Sequence, residues 1–362
     1  MSKIGIFTYM QTNYGAVLQA YALQTYLRNR GAQSEIVDFT TAEHLKAYNV
    51  FQPLNIPFFK RMAVYLLVAL RYFHLKRRIR RTIAFKKQYF NFTKRYSTVE
   101  EILNNPPQED IYISGSDQVF NLSSPYYEVY YLNFNKGTAK KVAYAASFGH
   151  ADFTVELKEK ITPYLLDFDL LSCRESTGAQ FLSSITGKPV PTVVDPTMLL
   201  SEEQWRKVTI YPNMKDYIFI YDLNGGEDLI EIAKRLKALI HKPIVCLTCG
   251  ATNYYRDADR VFVDAGPAEF LGWIANAAYV VTDSFHGTSF SLIFSKPFLN
   301  YVAIERASDR VTTILQSIGM EDRMIRCEEI DSYDYKSHLE CTEIKNKKWI
   351  MDSMSYIDTL LE

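Results

Sequence analysis

Residues 279–301 read YVVTDSFHGTSFSLIFSKPFLNY. An apolar run to Thr282 gives way to polar Asp283 and Ser284. A small and apolar stretch of helical character follows to about Phe294, and then a second apolar run, Pro297–Tyr301. A strand, a helix and a strand joined by short connections make a βαβ unit, whose strands lie parallel in one sheet. Reading outward, the same alternation recurs. YIFIYDL, the helical EDLIEIAKRLKALI, PIVCLT, RVFV and the helical PAEFLGWIANA precede the unit. Near the N-terminus KIGIF, a helix from about Tyr14 to Arg30 and SEIVDF begin a similar series, continued by DIYISGS, KKVAYAAS, FDLLSCRE and PTVVDPT. Strands alternating with helices from end to end predict α/β domains with parallel sheets.

A chain of 362 residues exceeds the usual single core, so two domains are expected. The polar, proline-punctuated DPTMLLSEEQWRKVTIYPNMKD reads as the connection. The expected architecture is two Rossmann-like domains facing a cleft. Residues 1–200 make the first domain and 201–335 the second, and 336–362 supply a terminal helix packing back on the first, with Trp349, Ile350, Met354 and Ile357 on its apolar face.

Composition narrows the function classes. The 41 basic residues balance 41 acidic ones, so the total charge points to neither nucleic acid nor an acidic partner. Five cysteines show one CxxC, Cys246 and Cys249, with no second pair or nearby histidine to complete a zinc site. The odd count fits a reducing cytoplasm. MSKIGIFTYM lacks the regions of a signal peptide, and MAVYLLVAL is about half the ~20 residues that span a bilayer. The expected location is the cytoplasm or the inner face of its membrane.

One local bias stands out. Between Arg61 and Arg95 the chain carries eleven Lys and Arg and no acid, interleaved with Leu66, Leu67, Leu70, Phe73, Ile83 and other apolar residues. This reads as a basic amphipathic helical insertion at about 58–95. It is either a solvated hairpin or a contact with an anionic membrane surface or a lipid-pyrophosphate-linked acceptor. No nucleic-acid-binding module surrounds it.

In open parallel sheets ligands sit outside the carboxyl ends of the strands. Four polar clusters fall there. In YMQTNYGAVLQAYAL, Asn13 can cap the helix and Gly15 can let backbone approach a ligand. In ISGSDQVFN, Ser116, Asp117 and Gln118 crowd one turn, where Asp117 can accept sugar hydroxyls or act as a base; a plain Asx turn is the competing account. In LLSCREST, Arg174 suits capture of a carboxylate or phosphate, or else pairs with Glu175. In the opening stretch His286 lies near a helix N-terminus, able to hydrogen-bond a phosphate or deliver a proton, or simply to cap its helix.

Taken together and in this order, NYGAVLQAYAL, SGSDQVFN, AYAASFG, SCREST, VVDPTMLL and TDSFHGTSFSLIFSKPF resemble the polysaccharide pyruvyl transferase family, over roughly Ile4 to Arg326. The resemblance implies a GT-B-like glycosyltransferase architecture. It also implies transfer of pyruvate from phosphoenolpyruvate to two hydroxyls of a sugar in a surface-polysaccharide precursor of a capsule or exopolysaccharide, giving a cyclic ketal and phosphate. On that reading Arg174 holds the donor carboxylate, His286 is the acid, and Ser284 and Gly287 hydrogen-bond the phosphate. Asp117 is the base, with Asn13, Gly15, Ser116 and Gln118 in the substrate site. Arg306 and Arg310 reach the same anion or pair with Glu305 and Asp309. No metal or organic cofactor is required. The alternatives are a GT-B-type nucleotide-sugar glycosyltransferase and a non-catalytic glycan-binding protein.

Overall fold

A computed structural model describes residues 2–51, 57–134, 137–149, 153–224, 226–248, 255–302, 305–340, 344 and 346–361. The first sheet contains β1 (Lys3–Phe7), β2 (Gln33–Phe39), β3 (Phe92–Tyr96), β4 (Ile111–Ser114), β5 (Lys140–Ala146) and β6 (Leu170–Cys173), in the order β3-β2-β1-β4-β5-β6. The second contains β7 (Ile218–Asp222), β8 (Ile244–Thr248), β9 (Arg260–Phe262), β10 (Tyr279–Thr282), β11 (Phe298–Tyr301) and β12 (Met324–Ile325), in the order β12-β11-β10-β7-β8-β9. Counted within its own domain, each sheet has the same doubly wound order. All pairings are parallel; Ile6 sits between Ile36 and Ile113, for example. The central strands are buried on both faces, which is why IYIS and YVVT read as continuous apolar runs.

Strand order reverses between β1 and β4 in one domain and between β7 and β10 in the other. Loops diverge at these points and leave crevices above the strands. The turns Thr8–Tyr14 and Gly115–Gln118 leave the first switch point, and Asp283–Phe285 leaves the second.

The domains share an apolar seam. Tyr14, at the start of the Tyr14–Asn29 helix, stacks on Phe270 with centroids 5.2 Å apart and donates its hydroxyl to the Ala265 carbonyl at 2.9 Å. Trp205 meets Phe290 edge-on at 4.9 Å. Each of these rings is buried and contributes about 1.5–3 kcal/mol by leaving water. The Lys348–Asp358 helix returns to the first domain. There the Trp349 indole donates to the Thr192 carbonyl at 2.9 Å, and Asp358 accepts from Arg30 and Tyr26, each at 3.0 Å.

Three expectations need correction. PTVVDPT does not form a strand: Thr192 makes a single bridge to Cys173, and the chain then turns through a 3₁₀ segment, Pro196–Leu199. Pro191 and Pro196 lack the amides a ladder needs. The basic insertion is helical at Phe58–Leu70 and Tyr72–Tyr89, but Lys94 and Arg95 lie in edge strand β3, where Arg95 donates to Asp38 at 2.9 Å. The terminal helix expected within 336–362 is confined to Lys348–Asp358, with a short 3₁₀ turn, Lys336–His338, before it. Of the CxxC pair, Cys246 is buried in β8 and Cys249 lies outside the described residues. No cluster of three metal-ligating side chains occurs among the described residues.

Candidate active site

The two switch points meet across Asp195. This residue follows the second proline-flanked apolar run, and its carboxylate is fully buried. Oδ1 accepts from the Thr197 amide at 2.9 Å and the Thr197 hydroxyl at 2.8 Å. Oδ2 accepts from Ser116 Oγ at 3.0 Å and Arg174 Nη1 at 2.7 Å, and it faces His286 Nε2 at 3.7 Å. The last distance is that of an ion-pair contact, too long for a hydrogen bond. Burial alone would raise the Asp195 carboxyl, but His286, Arg174 and the Thr197 amide outweigh it and hold the group far below the usual carboxylate range.

Arg174 leaves β6 and is buried among acids. Its Nη2 lies 3.4 Å from Asp117 Oδ1, and its guanidinium rests 4.6 Å over the Phe285 ring of the other domain. Burial opposes its charge, yet Asp195 and Asp117 hold its pKa above the ordinary value. Asp117 has φ +70°, a left-handed conformation that costs a residue with a side chain about 1 kcal/mol or more. The turn is held by the Ser147 and Val119 amides, which donate to the Asp117 carbonyl at 3.0 and 2.7 Å. Backbone in this region is tolerated best by Gly, Asn and Asp. The side chain it aims at Arg174 is the most exposed carboxylate of the centre.

His286 lies in the first turn of the Phe285–Ile293 helix, which Ser284 caps: its hydroxyl accepts from the Gly287 amide at 3.3 Å. The imidazole lies flat against the backbone of Gly15. A Cβ on Gly15 would meet His286 Nδ1 at 2.0 Å. Gly15 therefore admits the histidine of the opposite domain.

Arg310 completes the centre. It lies on the Glu305–Ile318 helix, which is fastened to the Ser176–Thr186 helix by Thr313 accepting from the Ser176 amide at 3.2 Å and by a short Thr177–Asp309 hydrogen bond. Burial and the neighbouring charge of Arg174 push the Arg310 pKa down. Its Nε is buried without a hydrogen-bond partner among the described residues. Two guanidinium groups are thus held near one another, and the Nε of each is buried without a hydrogen-bond partner among the described residues.

Of the residues expected from sequence, Asp117, Ser116, Arg174, Gly15, His286 and Arg310 come together here. Asn13 is an exposed cap for the first helix, accepting from the Ala16 amide at 3.2 Å. Gln118 accepts from Asn121 at 3.1 Å and packs on Gly149, on the far side of its turn. Ser284 and Gly287 satisfy one another, and a Cβ on Gly287 would meet Thr282 Oγ1 at 2.5 Å. The side chain of Arg306 lies outside the described residues. Sequence reasoning passed over Asp195, although it stands in VVDPT at the end of an apolar run, the same signal that marked the other four clusters.

A cavity of about 490 Å³ opens beside the first switch point, walled by Tyr9, Phe39, His44, Tyr48 and Tyr130 and bordered by Lys86. Lys86 donates to Gln11 O at 2.9 Å and Tyr48 Oη at 2.8 Å; burial lowers its pKa to about 7. Burial and, less strongly, the charge of Asp117 push the Tyr9 phenol up to about 12, so this wall of the cavity lies within electrostatic reach of Asp117.

The model of the polysaccharide pyruvyl transferase family matches residues 13–303, a span that runs from Asn13 through the SFHG segment. The chain belongs to the polysaccharide pyruvyl transferase family. Among solved structures, this pyruvyl transferase family member is similar to Staphylococcus aureus MnaA with UDP, at 11% identity and TM-score 0.55, covering 100% of this chain and 97% of that one. It is also similar to UDP-GlcNAc 2-epimerases from Neisseria meningitidis (9%, TM-score 0.51, 100% of both chains) and Methanocaldococcus jannaschii (12%, TM-score 0.51, 99% and 98%). Such identities show a shared fold, GT-B-like with two parallel-sheet domains. No curated protein sequence matches the chain.

Proposed function

We propose that this member transfers pyruvate from phosphoenolpyruvate to two hydroxyls of a sugar in a surface-polysaccharide precursor, forming a cyclic ketal. The observation that carries the reading is the pairing of Arg310 and Arg174 beside His286 and Asp117 at the interdomain seam. A small donor with a carboxylate and a phosphate needs two cationic contacts, and Arg310 and Arg174 each have an Nε to give. Arg174 is already engaged by Asp195, so its part is to share the donor's charge and fix the geometry, while Arg310 binds directly.

His286 is the acid that protonates the donor methylene carbon, with Asp195 facing its Nε2. Asp117, the accessible carboxylate, draws the proton from the attacking hydroxyl. The first hydroxyl bonds to the central carbon, and the second displaces phosphate from it. Of the two hydroxyl protons, one is balanced by the new methyl hydrogen and the other leaves with phosphate. The aromatic-walled cavity beside Tyr9 takes the acceptor sugar. No metal or organic cofactor enters this scheme. Arg174 and His286 are at most 7% exposed, so donor access requires the domains to part.

A nucleotide-sugar glycosyltransferase would place a pyrophosphate at the second switch point. There Asp222 is buried and Asp283 half-buried, with burial foremost and the charge of Asp222 raising the Asp283 pKa. The cations of the described site, Arg174 and Arg310, lie instead at the interdomain seam, which favours the pyruvyl donor. The test is phosphate release from phosphoenolpyruvate with galactose- or mannose-type acceptors, and mass spectrometry of the acceptor for the ketal. Binding of sugar with no phosphate release from any acceptor would sink the proposal.

A further inference from the structure

The charge balance of the whole chain hides a strong polarity. From His44 to Val99 there are thirteen Lys and Arg and no Asp or Glu, so the rest of the chain holds 28 bases against 41 acids. The structure divides these bases by face. On the inner side of the Tyr72–Tyr89 helix, Arg77 pairs with Asp264 at 2.9 Å, Arg81 pairs with Glu269 at 3.0 Å, and Arg78 lies 4.8 Å over the Tyr14 ring. Arg77 and Arg81 bind this helix to the second domain, and Arg78 binds it to the first. Arg80 and Lys87, with Lys60 on the preceding helix, are exposed and carry no ion pair among the described residues.

The apolar residues divide in the same way. Thr82 and Phe85 are buried, whereas Phe59 (86% exposed), Met62, Leu66, Leu70 (73%) and Phe73 (79%) are left in water. Phe59, Met62, Leu66 and Leu70 are spaced three and four residues apart and make one stripe on the first helix, and Phe73 follows just past the break at Arg71. On the second helix Arg80 and Lys87 follow Phe73 at intervals of seven residues, about two turns each, and so share its face. Soluble domains rarely expose so many large apolar side chains side by side. At ~1.5 Å per residue the thirteen-residue Phe58–Leu70 helix is about 20 Å long, short of a bilayer core.

We propose that this pair of consecutive helices lies on an anionic lipid bilayer, with the exposed apolar residues from Phe59 to Phe73 in the headgroup boundary and Lys60, Arg80 and Lys87 against lipid phosphates. Charge complementarity selects the partner: an acid-free basic stretch flanking an apolar stripe fits an anionic interface. The surface and the cavity described above share residues, since Ile83 and Lys87 of the second helix line that cavity and are exposed, as is Leu45. An acceptor carried on a membrane lipid would present its sugar to the cavity; this clause rests on the proposed transfer, whereas docking does not.

The test is co-sedimentation of the full chain with phosphatidylcholine vesicles, with or without phosphatidylglycerol. Vesicle binding needs neither donor nor acceptor, so its failure is read separately from failure of the reaction. Three cations, each worth roughly a factor of five at an anionic surface, give a preference for the mixed vesicles on the order of 100-fold at low salt. The variant Lys60→Glu/Arg80→Glu/Lys87→Glu loses that preference, and Phe59→Ser/Leu66→Ser/Phe73→Ser binds at least about tenfold more weakly to both vesicles. Both variants keep the wild-type circular dichroism, since every substituted side chain is exposed. A folded wild-type protein that ignores mixed vesicles overturns the proposal. So does undiminished binding of either variant, or a stripe found buried in a dimer that the serine variant dissolves.

Discussion

Asp195→Asn isolates the charge at the centre of the site while keeping its shape. The amide oxygen can still accept from the Thr197 amide and hydroxyl, as Oδ1 now does at 2.9 and 2.8 Å. What disappears is the negative charge 2.7 Å from Arg174 Nη1, deep in the first domain. Removing one partner of a buried pair costs about 3–5 kcal/mol, because the other charge stays buried. Asp117 at 3.4 Å compensates Arg174 in part, which places the expectation near the lower end, about 3 kcal/mol. For a domain of this size that is a fall in melting temperature of roughly 6–12 °C, read by calorimetry or near-ultraviolet circular dichroism.

Two controls separate charge from packing. In Asp195→Asn/Arg174→Met both charges go while the amide oxygen still accepts from Thr197, and the loss shrinks below that of Asp195→Asn because no uncompensated cation stays buried. The pH dependence gives the second. A carboxyl held far below its unfolded pKa contributes stability that is fully present above the unfolded value, about 3.9, and is lost as pH falls toward the folded one. Wild type therefore loses stability as pH drops below about 4 more steeply than Asp195→Asn. An Asp195→Asn protein within about 1 kcal/mol of wild type, or one with an unchanged acid slope, would refute the assignment of Asp195 as the charge anchor.

Other expectations follow from single contacts. Gly15→Ala replaces a glycine inside a helix, which ordinarily stabilises by roughly 0.5–1 kcal/mol. Here the new methyl strikes the His286 ring, so stability falls by about 1–3 kcal/mol and turnover collapses; a stabilised, active protein contradicts the contact. Arg310→Met removes a partly buried cation crowded by Arg174, so thermal stability stays level or rises while the KM for phosphoenolpyruvate climbs at least about tenfold. Unchanged kinetics would remove Arg310 from the donor site. Asp117→Asn keeps a side chain that tolerates φ +70° but loses the base, so kcat drops about 100-fold or more with the fold intact. Stopped-time phosphate release reads both.

The parallel sheets were legible because buried parallel strands are uniformly apolar and end abruptly in small or polar residues. IYIS followed by Gly115 and YVVT followed by Asp283 are both of this kind. Edge strand β3 was not: FTKRY sits at a sheet margin, where two lysine and arginine side chains remain in water, and its basic residues blended into the helices before it. PTVVDPT misled in the opposite direction, since its apolar run is buried without being a strand, and composition does not record that two prolines have emptied the ladder of donors. The polar clusters were visible one at a time because each follows a strand end. Their mutual arrangement depends on which two loops the strand order brings to each switch point, and a linear pattern does not contain that order.

That distinction explains how the roles of the site residues shift. Read alone, Arg174 is a cation waiting for an anion, and Gly15 is a gap awaiting a phosphate. In the fold Arg174 already has its anion in Asp195, and the gap at Gly15 is filled by an imidazole from the other domain. Unspent capacity remains at the Nε of Arg174, at His286 Nε2 and at Arg310, whose helix Thr177 and Ser176 dock across the seam. A donor anion would therefore be sensed from the second domain, by Arg310 and His286, against acids and Arg174 fixed in the first. Binding energy released there acts between the domains, and the same contacts that hold the donor would draw the seam closed around it.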